Sequence, residues 1–281
     1  MVAFVTESTL DLRLRALRAE MARLRQVVVA YSGGVDSSLM LKLAVDALGD
    51  GAVAVLAISP SLPQSEKEDA VTLARAIGAR LELIETHEVE DASYAANAAN
   101  RCFFCKDHVY AALKTYAEEH QISHMLDGMN ADDTLDIRPG RAAAMKHGVR
   151  SPLHEAGITK AEVRSLARKL GLPNWDKPAA ACLSSRIPYG TTVTAPLLQR
   201  IESAEAYVKS LGFAELRVRH HGDIARIEVP LSSLAEAVLR HGELVGGLKA
   251  LGWTYVALDL DGLRTGSMNE VLRGRNAATH A

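Results

Sequence analysis

Apolar residues come in two rhythms along this chain. Short unbroken runs at 26–31, 52–58, 80–85 and 123–127, with a weaker one near 149–152, predict buried strands. Between them, apolar positions recur at helical spacing over 36–48, 65–78, 106–120 and 159–170. The last of these opens at Thr159 with Glu162 three residues on, a capping box. Strand–helix alternation of this kind predicts a parallel sheet with helices on both faces. An earlier amphipathic stretch, residues 8–25, carries Leu10, Leu14, Leu17, Met21 and Leu24 on one face and is expected to pack against the domain or a sister subunit.

The rhythm changes after residue 170. Gly171, Pro173, Pro178, Pro188 and Gly190 punctuate 171–192 densely enough to predict a loop or linker. Then come a helix (196–211), strands at 214–219 and 224–229, a helical region (231–250) and a strand at 254–258, which read as a small α+β domain. The expected division is therefore 1–190 and 191–281, with a polar, loose tail after about residue 266.

The totals narrow the function little. The 281 residues are 48% hydrophobic, enough for a real core, and the net charge of −2 gives no global attraction to nucleic acid or an anionic membrane. No apolar run approaches the ~18 residues of a membrane span, and the N-terminus lacks a secretory pattern. Three cysteines are most simply reduced thiols in the cytoplasm.

The first strand decides more. Val27-Val28-Val29-Ala30-Tyr31 ends in Ser32-Gly33-Gly34-Val35-Asp36-Ser37-Ser38, and a helical run follows. A buried strand feeding a glycine turn and a helix N-terminus is an anion-binding device, because glycines let the backbone approach and the unpaired N–H groups point at the ligand. Serine hydroxyls add donors, and Asp36 is placed to hold a metal bridging phosphates. No lysine sits in the turn, so this is not the Walker pattern. Ligands of parallel sheets sit beyond the carboxyl ends of the strands, where Ser32-Gly33-Gly34, Ser59-Pro60 and Asp127-Gly128 fall. The loop resembles the Ser-Gly-Gly-x-Asp-Ser loop of the N-type ATP pyrophosphatases, which split ATP between the α and β phosphates and leave AMP on a substrate oxygen. That implies a Rossmann-like PP-loop fold of the adenine nucleotide alpha hydrolase type, with a smaller C-terminal α+β domain.

Cys102 and Cys105 lie in Asn100-Arg101-Cys102-Phe103-Phe104-Cys105-Lys106, just before a predicted helix, and Cys182 lies in Ala181-Cys182-Leu183-Ser184-Ser185-Arg186. Arg101, Lys106 and Arg186 are near enough in sequence to favour thiolates. Inert packing groups, a redox pair, structural zinc with a histidine such as His108, and a [4Fe–4S] cluster with one open iron all remain possible from spacing alone.

Further blocks extend the likeness: Asp127-Gly128-Met129-Asn130-Ala131-Asp132-Asp133, Arg138-Pro139-Gly140-Arg141, Val149-Arg150-Ser151-Pro152-Leu153, Ala181 to Gly190, and Arg217-Val218-Arg219-His220. In this order they resemble LarE, the sulfur transferase family that builds the nickel-pincer cofactor of lactate racemase. The resemblance implies that ATP adenylylates a carboxylate of a pyridinium dicarboxylate mononucleotide, that a sulfur donor displaces AMP to leave a thiocarboxylate, and that two rounds follow. Family members with one cysteine, at the position of Cys182, give up its sulfur. Members with three resemble cluster enzymes, so the expectation here is a [4Fe–4S] cluster on Cys102, Cys105 and Cys182.

The same resemblance sets the expected site. ATP and Mg²⁺ fall to Ser32, Gly33, Gly34, Asp36, Ser37, Ser59 and Gly128, with Asp36 on the metal. The mononucleotide falls to Arg101, Lys106, Asn130, Asp133, Arg186, Glu205, Arg217 and Arg219, near a subunit contact in a homo-oligomer, for which the resemblance implies a hexamer. Arg217 and Arg219 share one face of a predicted strand, with Leu216 and Val218 turned inward, which suits a phosphate; an exposed strand face paired with Glu228 is the plainer alternative. Arg138, Arg141 and Arg150 are further cations, and a solvated surface charge is the simpler reading of Arg138 or Arg150 alone. Phe103 and Phe104 suit either a pyridinium ring or the core, with core expected for at least one. Two other functions compete. A tRNA thiolase would need a basic RNA-binding surface, and none is visible; a non-catalytic nucleotide-holding subunit would leave Asp36 and the three cysteines without a role.

Overall fold

The computed structural model describes residues 9–134, 139–264 and 266–269. In chain order the principal elements are α1 (Thr9–Met21), β1 (Val27–Ala30), α2 (Val35–Leu48), β2 (Ala52–Ile58), α3 (Gln64–Ile77), β3 (Arg80–Glu85), α4 (Ala92–Ala95), α5 (Arg101–Glu119), β4 (Met125–Leu126), α6 (Pro139–His147), α7 (Pro152–Glu155), α8 (Lys160–Lys169), α9 (Ala195–Ser210), β5 (Arg217–His221), β6 (Ile224–Glu228), α10 (Leu234–Leu239), α11 (His241–Ala250) and β7 (Tyr255–Leu258). They fall into two compact units. The first comprises 1–59, 64–88 and 102–180, the second 60–63, 89–101 and 181–281.

The first unit is the α/β fold read from the sequence. Its sheet runs β3-β2-β1-β4, and every pairing is parallel. Val27, Val28 and Val29 in β1 are wholly buried, as a central strand covered on both faces requires. One face is packed by α5 and α6, where Tyr110, Leu113, Tyr116, Ala143 and Ala144 meet Val28, Val53 and Val55. Leu14, Leu17 and Met21 of α1 and most of the apolar side of α2 are also buried. The chain adds β2 and β3 on one side of β1 and then crosses to place β4 on the other. That reversal is the topological switch point at which ligands of open α/β sheets bind, and it lies between the carboxyl ends of β1 and β4.

Local differences from the sequence reading have simple causes. The strand expected near 149–152 contracts to one bridge between Leu126 and Arg150, because Pro152 starts α7. Helix α5 begins at Arg101, five residues earlier than expected, so Cys102 and Cys105 sit one turn apart on the helix and not ahead of it. Phe103 supports that early turn by packing against the core, as one of the two phenylalanines was expected to do; Phe104 meets its edge at 5.4 Å. Thr159 and Glu162 form the capping box reciprocally.

In the second unit β5 and β6 are antiparallel and β6 and β7 parallel, in the order β5-β6-β7. Leu216, Val218, Ile227, Leu198, Ile201, Leu244 and Trp253 are buried, with the Arg200 guanidinium stacked 4.0 Å over the Trp253 ring. Among the described residues, no helix is long and apolar enough to cross a membrane.

Candidate active site

The turn after β1 is held open for a ligand by its own residues. Tyr31 prolongs the strand, its N–H bonding Val55 O at 2.9 Å, and its hydroxyl donates to Ala70 O at 3.0 Å. Burial pushes the phenol up to about 12, against the opposing hydrogen bond with Ser38, so it stays a neutral donor. Gly33 has φ +74°, and a Cβ there would lie 2.7 Å from the Ala70 Cβ, so a glycine is required twice over. Gly34 caps α2 with extended backbone and no side-chain bond, which leaves the first turn of the helix to a ligand. Ser37 Oγ accepts from Ser32 N at 3.2 Å and donates to Gly34 O at 3.1 Å, closing the turn. Ser38 is fully buried, and Asn174 Nδ2 donates to both Ser38 Oγ and Gly33 O at 3.1 Å.

Across the switch point, Gly128 lies against the start of α2. A Cβ at Gly128 would stand 2.5 Å from Ser37 N. Asn130, almost fully buried, donates through Nδ2 to Asp36 Oδ1 at 3.1 Å, and Asp133 Oδ2 accepts from Asn130 N at 3.1 Å. Asp36 also carries an ion pair with Lys160 Nζ. Tyr110 donates to buried Asp127 at 2.7 Å, fixing the strand end. Ser59, at the end of β2, donates to buried Glu88. Thus Ser32, Gly33, Gly34, Asp36, Ser37, Gly128, Asn130 and Asp133 converge on one edge of the first unit. Gly128→Ala is expected to lower stability by about 1–3 kcal/mol and to weaken ATP binding, because the methyl meets backbone that cannot step aside; thermal denaturation and nucleotide titration check both.

The second unit organises the Cys182 loop around three buried guanidiniums. Arg101 donates to Ser184 O at 2.9 Å and to Asn97 Oδ1. Arg186 donates to Ala181 O at 2.7 Å and Cys182 O at 3.0 Å, and pairs with Glu205 through two bonds of 2.9 and 3.1 Å. Arg219 donates to Ser185 O at 3.0 Å, to Glu228 at 2.8 Å and to Ser267 at 3.1 Å. Glu205 further accepts from Val218 N at 3.0 Å. Residues 181–190 group with this unit for that reason, helped by the bond from Leu183 N to Ser61 O at 2.9 Å.

Arg217 stands apart. It is half-buried, donates at 2.7 Å to Leu216 O, and has no carboxylate partner among the described residues. Burial pushes its guanidinium down, and neighbouring Arg186 and Arg219 push the same way, against Glu205 and Glu228. The plainer reading holds in part: Arg219 does pair with Glu228, but not at an exposed face, since Glu228 is wholly buried and shared between Arg219 and Arg226. Of the two arginines, Arg219 holds a buried ion pair and Arg217 holds none among the described residues.

The chain has relatives of known and unknown activity. The NAD synthase family matches residues 11–125. An uncharacterized protein of Synechocystis, slr1717, is 46% identical over 94% of this chain and 99% of its own. The pyridinium-3,5-bisthiocarboxylic acid mononucleotide synthase of Lactiplantibacillus plantarum is 40% identical over 98% of this chain and the whole of its own. The chain belongs to the LarE family. It is accordingly an ATP-dependent enzyme of PP-loop fold, as the loop and the parallel sheet led one to expect.

Not every expected LarE-family residue lies at the loop. Lys106 rests 5.6 Å over the Tyr110 ring. Arg150 pairs with Glu20 at 2.6 Å and with Glu155, the surface role expected of it. Arg141 is exposed, and Arg138 lies outside the described residues. None of the cysteines forms a disulfide; Cys102 is exposed, Cys105 and Cys182 half-buried. The first two belong to the first unit and Cys182 to the second, and among the described residues no three His, Cys, Asp or Glu side chains gather as a metal site. Arg101 and Arg186, expected to favour thiolates, are instead committed to carbonyl and carboxylate oxygens. Two residues that meet the LarE loop escaped the sequence reading, Lys160 and Asn174. The capping box was the available signal for Lys160, since it fixes residue 160 at the first turn of a helix. Asn174 lay in a stretch read only as linker.

Proposed function

We propose that this enzyme transfers sulfur to a pyridinium dicarboxylate mononucleotide, making thiocarboxylates for a nickel-pincer cofactor. The observation that carries it is Arg217. Its half-buried guanidinium, without an ion pair among the described residues, shares a unit, and a field of buried arginines, with the loop that bears Cys182. A dianionic phosphate is the ligand such a cation fits, and the Cys182 thiol of the same unit is the kind of group sulfur chemistry needs.

The residues divide the work. Backbone N–H groups at Gly33, Gly34 and the start of α2, with Ser32 and Ser37, receive the triphosphate, and Asp36 with Asn130 beside it would hold Mg²⁺, whose charge would screen the phosphates. A substrate carboxylate oxygen attacks the α-phosphorus, the α–β bridge breaks and pyrophosphate leaves. Sulfur then bonds to the acyl carbon as the carbon–oxygen bond to AMP breaks. AMP is a far better leaving group than oxide, which is what the ATP is for. Asp133 and Lys106 complete the substrate side in this reading, and Arg101, Arg186 and Glu205 act by holding the Cys182 loop. The three thiols suit a [4Fe–4S] cluster in kind and number, with two of them a helical turn apart; when bound, it would supply sulfide. Such an enzyme is cytoplasmic and assembles as a homo-oligomer.

The test is anaerobic intact-mass spectrometry before and after turnover with Mg·ATP and pyridinium-3,5-dicarboxylate mononucleotide. Pyrophosphate release, a thiocarboxylate product and unchanged protein mass are expected, with a brown absorption that Cys102→Ala removes. Loss of H₂S from Cys182 would move the sulfur source to that side chain; no pyrophosphate release would sink the enzyme reading. Arg217→Met should raise KM for the mononucleotide about ten- to a hundredfold and leave KM for ATP unchanged, as loss of one charge-assisted phosphate contact does.

A further inference from the structure

Lys160 is unused by this mechanism, yet its ammonium group sits on the carboxylate assigned to the metal. Its position is fixed from below. Thr159 caps α8, and Lys160 N donates to Asp132 Oδ2 at 2.8 Å, so the stem rises beside the open edge of the phosphate turn. We infer that Lys160 is a resident substitute for Mg²⁺ on Asp36, which the metal must displace and which then moves onto the phosphate oxygens of ATP. The inference rests on the reading of Asp36 as a metal ligand.

Three observations support an exchange. The pair is accessible: the Lys160 side chain is 35% and the Asp36 side chain 24% exposed, so it is held weakly enough for a divalent ion to replace it. Asp36 keeps a second, neutral partner in Asn130, so the carboxylate stays oriented while its cation changes. Lysine is a point charge on a flexible stem without the forked geometry that would lock it to one carboxylate. Lys177 of the same unit has no such freedom, since it is shared between Glu66 at 2.9 Å and Asp69 at 2.8 Å. A bare carboxylate beside the turn would repel an arriving triphosphate. A neutralising ammonium removes that repulsion, and once displaced it adds a cation where charge develops on the α-phosphate.

The experiment titrates Mg²⁺ into the full-length protein with the non-cleavable α,β-methylene analogue of ATP, followed by calorimetry, and separately measures pyrophosphate release at saturating Mg²⁺. In Lys160→Met the Mg²⁺ midpoint should fall by up to about fivefold, the weight of a part-exposed ion pair, while kcat falls at least about tenfold; Lys160→Arg should restore part of the rate. A midpoint that stays or rises in Lys160→Met, or an unchanged kcat, overturns the inference. Lys160→Gln gives the same reading if the methionine variant folds poorly. Asp36→Asn separates the two levels: it should raise the midpoint, and if it does not, the metal assignment itself is wrong.

Discussion

Asp36→Asn should lower pyrophosphate release on the order of a thousandfold or more while shifting the thermal midpoint by no more than a few degrees. The substitution keeps the shape of the side chain and its bond with Asn130, and removes only the charge. Stability changes little because the pair with Lys160 is part-exposed, and such pairs contribute about 0–1 kcal/mol. Catalysis changes much in the proposed reading, because a Mg²⁺ held by Asp36 would supply several kcal/mol of transition-state stabilisation. A coupled pyrophosphate assay at saturating Mg·ATP, run beside thermal denaturation, reads both. A rate within about tenfold of the native enzyme would remove Asp36 from the chemistry; a collapsed midpoint would make it structural.

The largest stability effect is expected at Arg186. It is almost fully buried, and so is Glu205, which it meets through two bonds. Arg186→Met strands the Glu205 carboxylate out of water, and breaking a buried pair in this way costs about 3–5 kcal/mol. The carbonyls of Ala181 and Cys182 lose their donor in the same step. Adding Glu205→Leu should recover most of the loss, since an apolar pair of similar volume is often neutral, but not all of it, because Val218 N then has no acceptor. Denaturant titration of the native protein, both single variants and the double variant closes the cycle. Additive losses would show that the two side chains do not depend on each other. The reactive consequence is separate: alkylation of Cys182 should quicken in Arg186→Met as its loop loosens.

Much of the first unit was legible because buried parallel strands are continuous apolar runs, and because the Ser-Gly-Gly-x-Asp-Ser turn requires its residues for backbone reasons that a linear sequence displays. Gly33 is one such case, with its left-handed φ. The phosphate turn, the switch point and the ends of β1 and β4 followed from that rhythm. What sequence could not display was which charges meet. Arg217 and Arg219 look alike two positions apart, yet Arg219 bonds Glu228 and Ser267 while Arg217 bonds only the Leu216 carbonyl among the described residues. Arg101, Arg186 and Arg219 read as substrate cations, while folding turns all three onto carbonyls of the Cys182 loop. Lys160 and Asp36 are 124 residues apart, and only the fold brings them together.

The contact at Gly128 has a mechanical meaning. With no room for a methyl group between it and Ser37 N, the phosphate turn and the exit of β4 behave as meshed gear teeth. Any shift of the turn as nucleotide arrives must be transmitted to Asn130 and Asp133, which follow Gly128 along the chain. A fluorine label on residue 129, remote in sequence from the triphosphate, should therefore sense ATP before the second substrate is added.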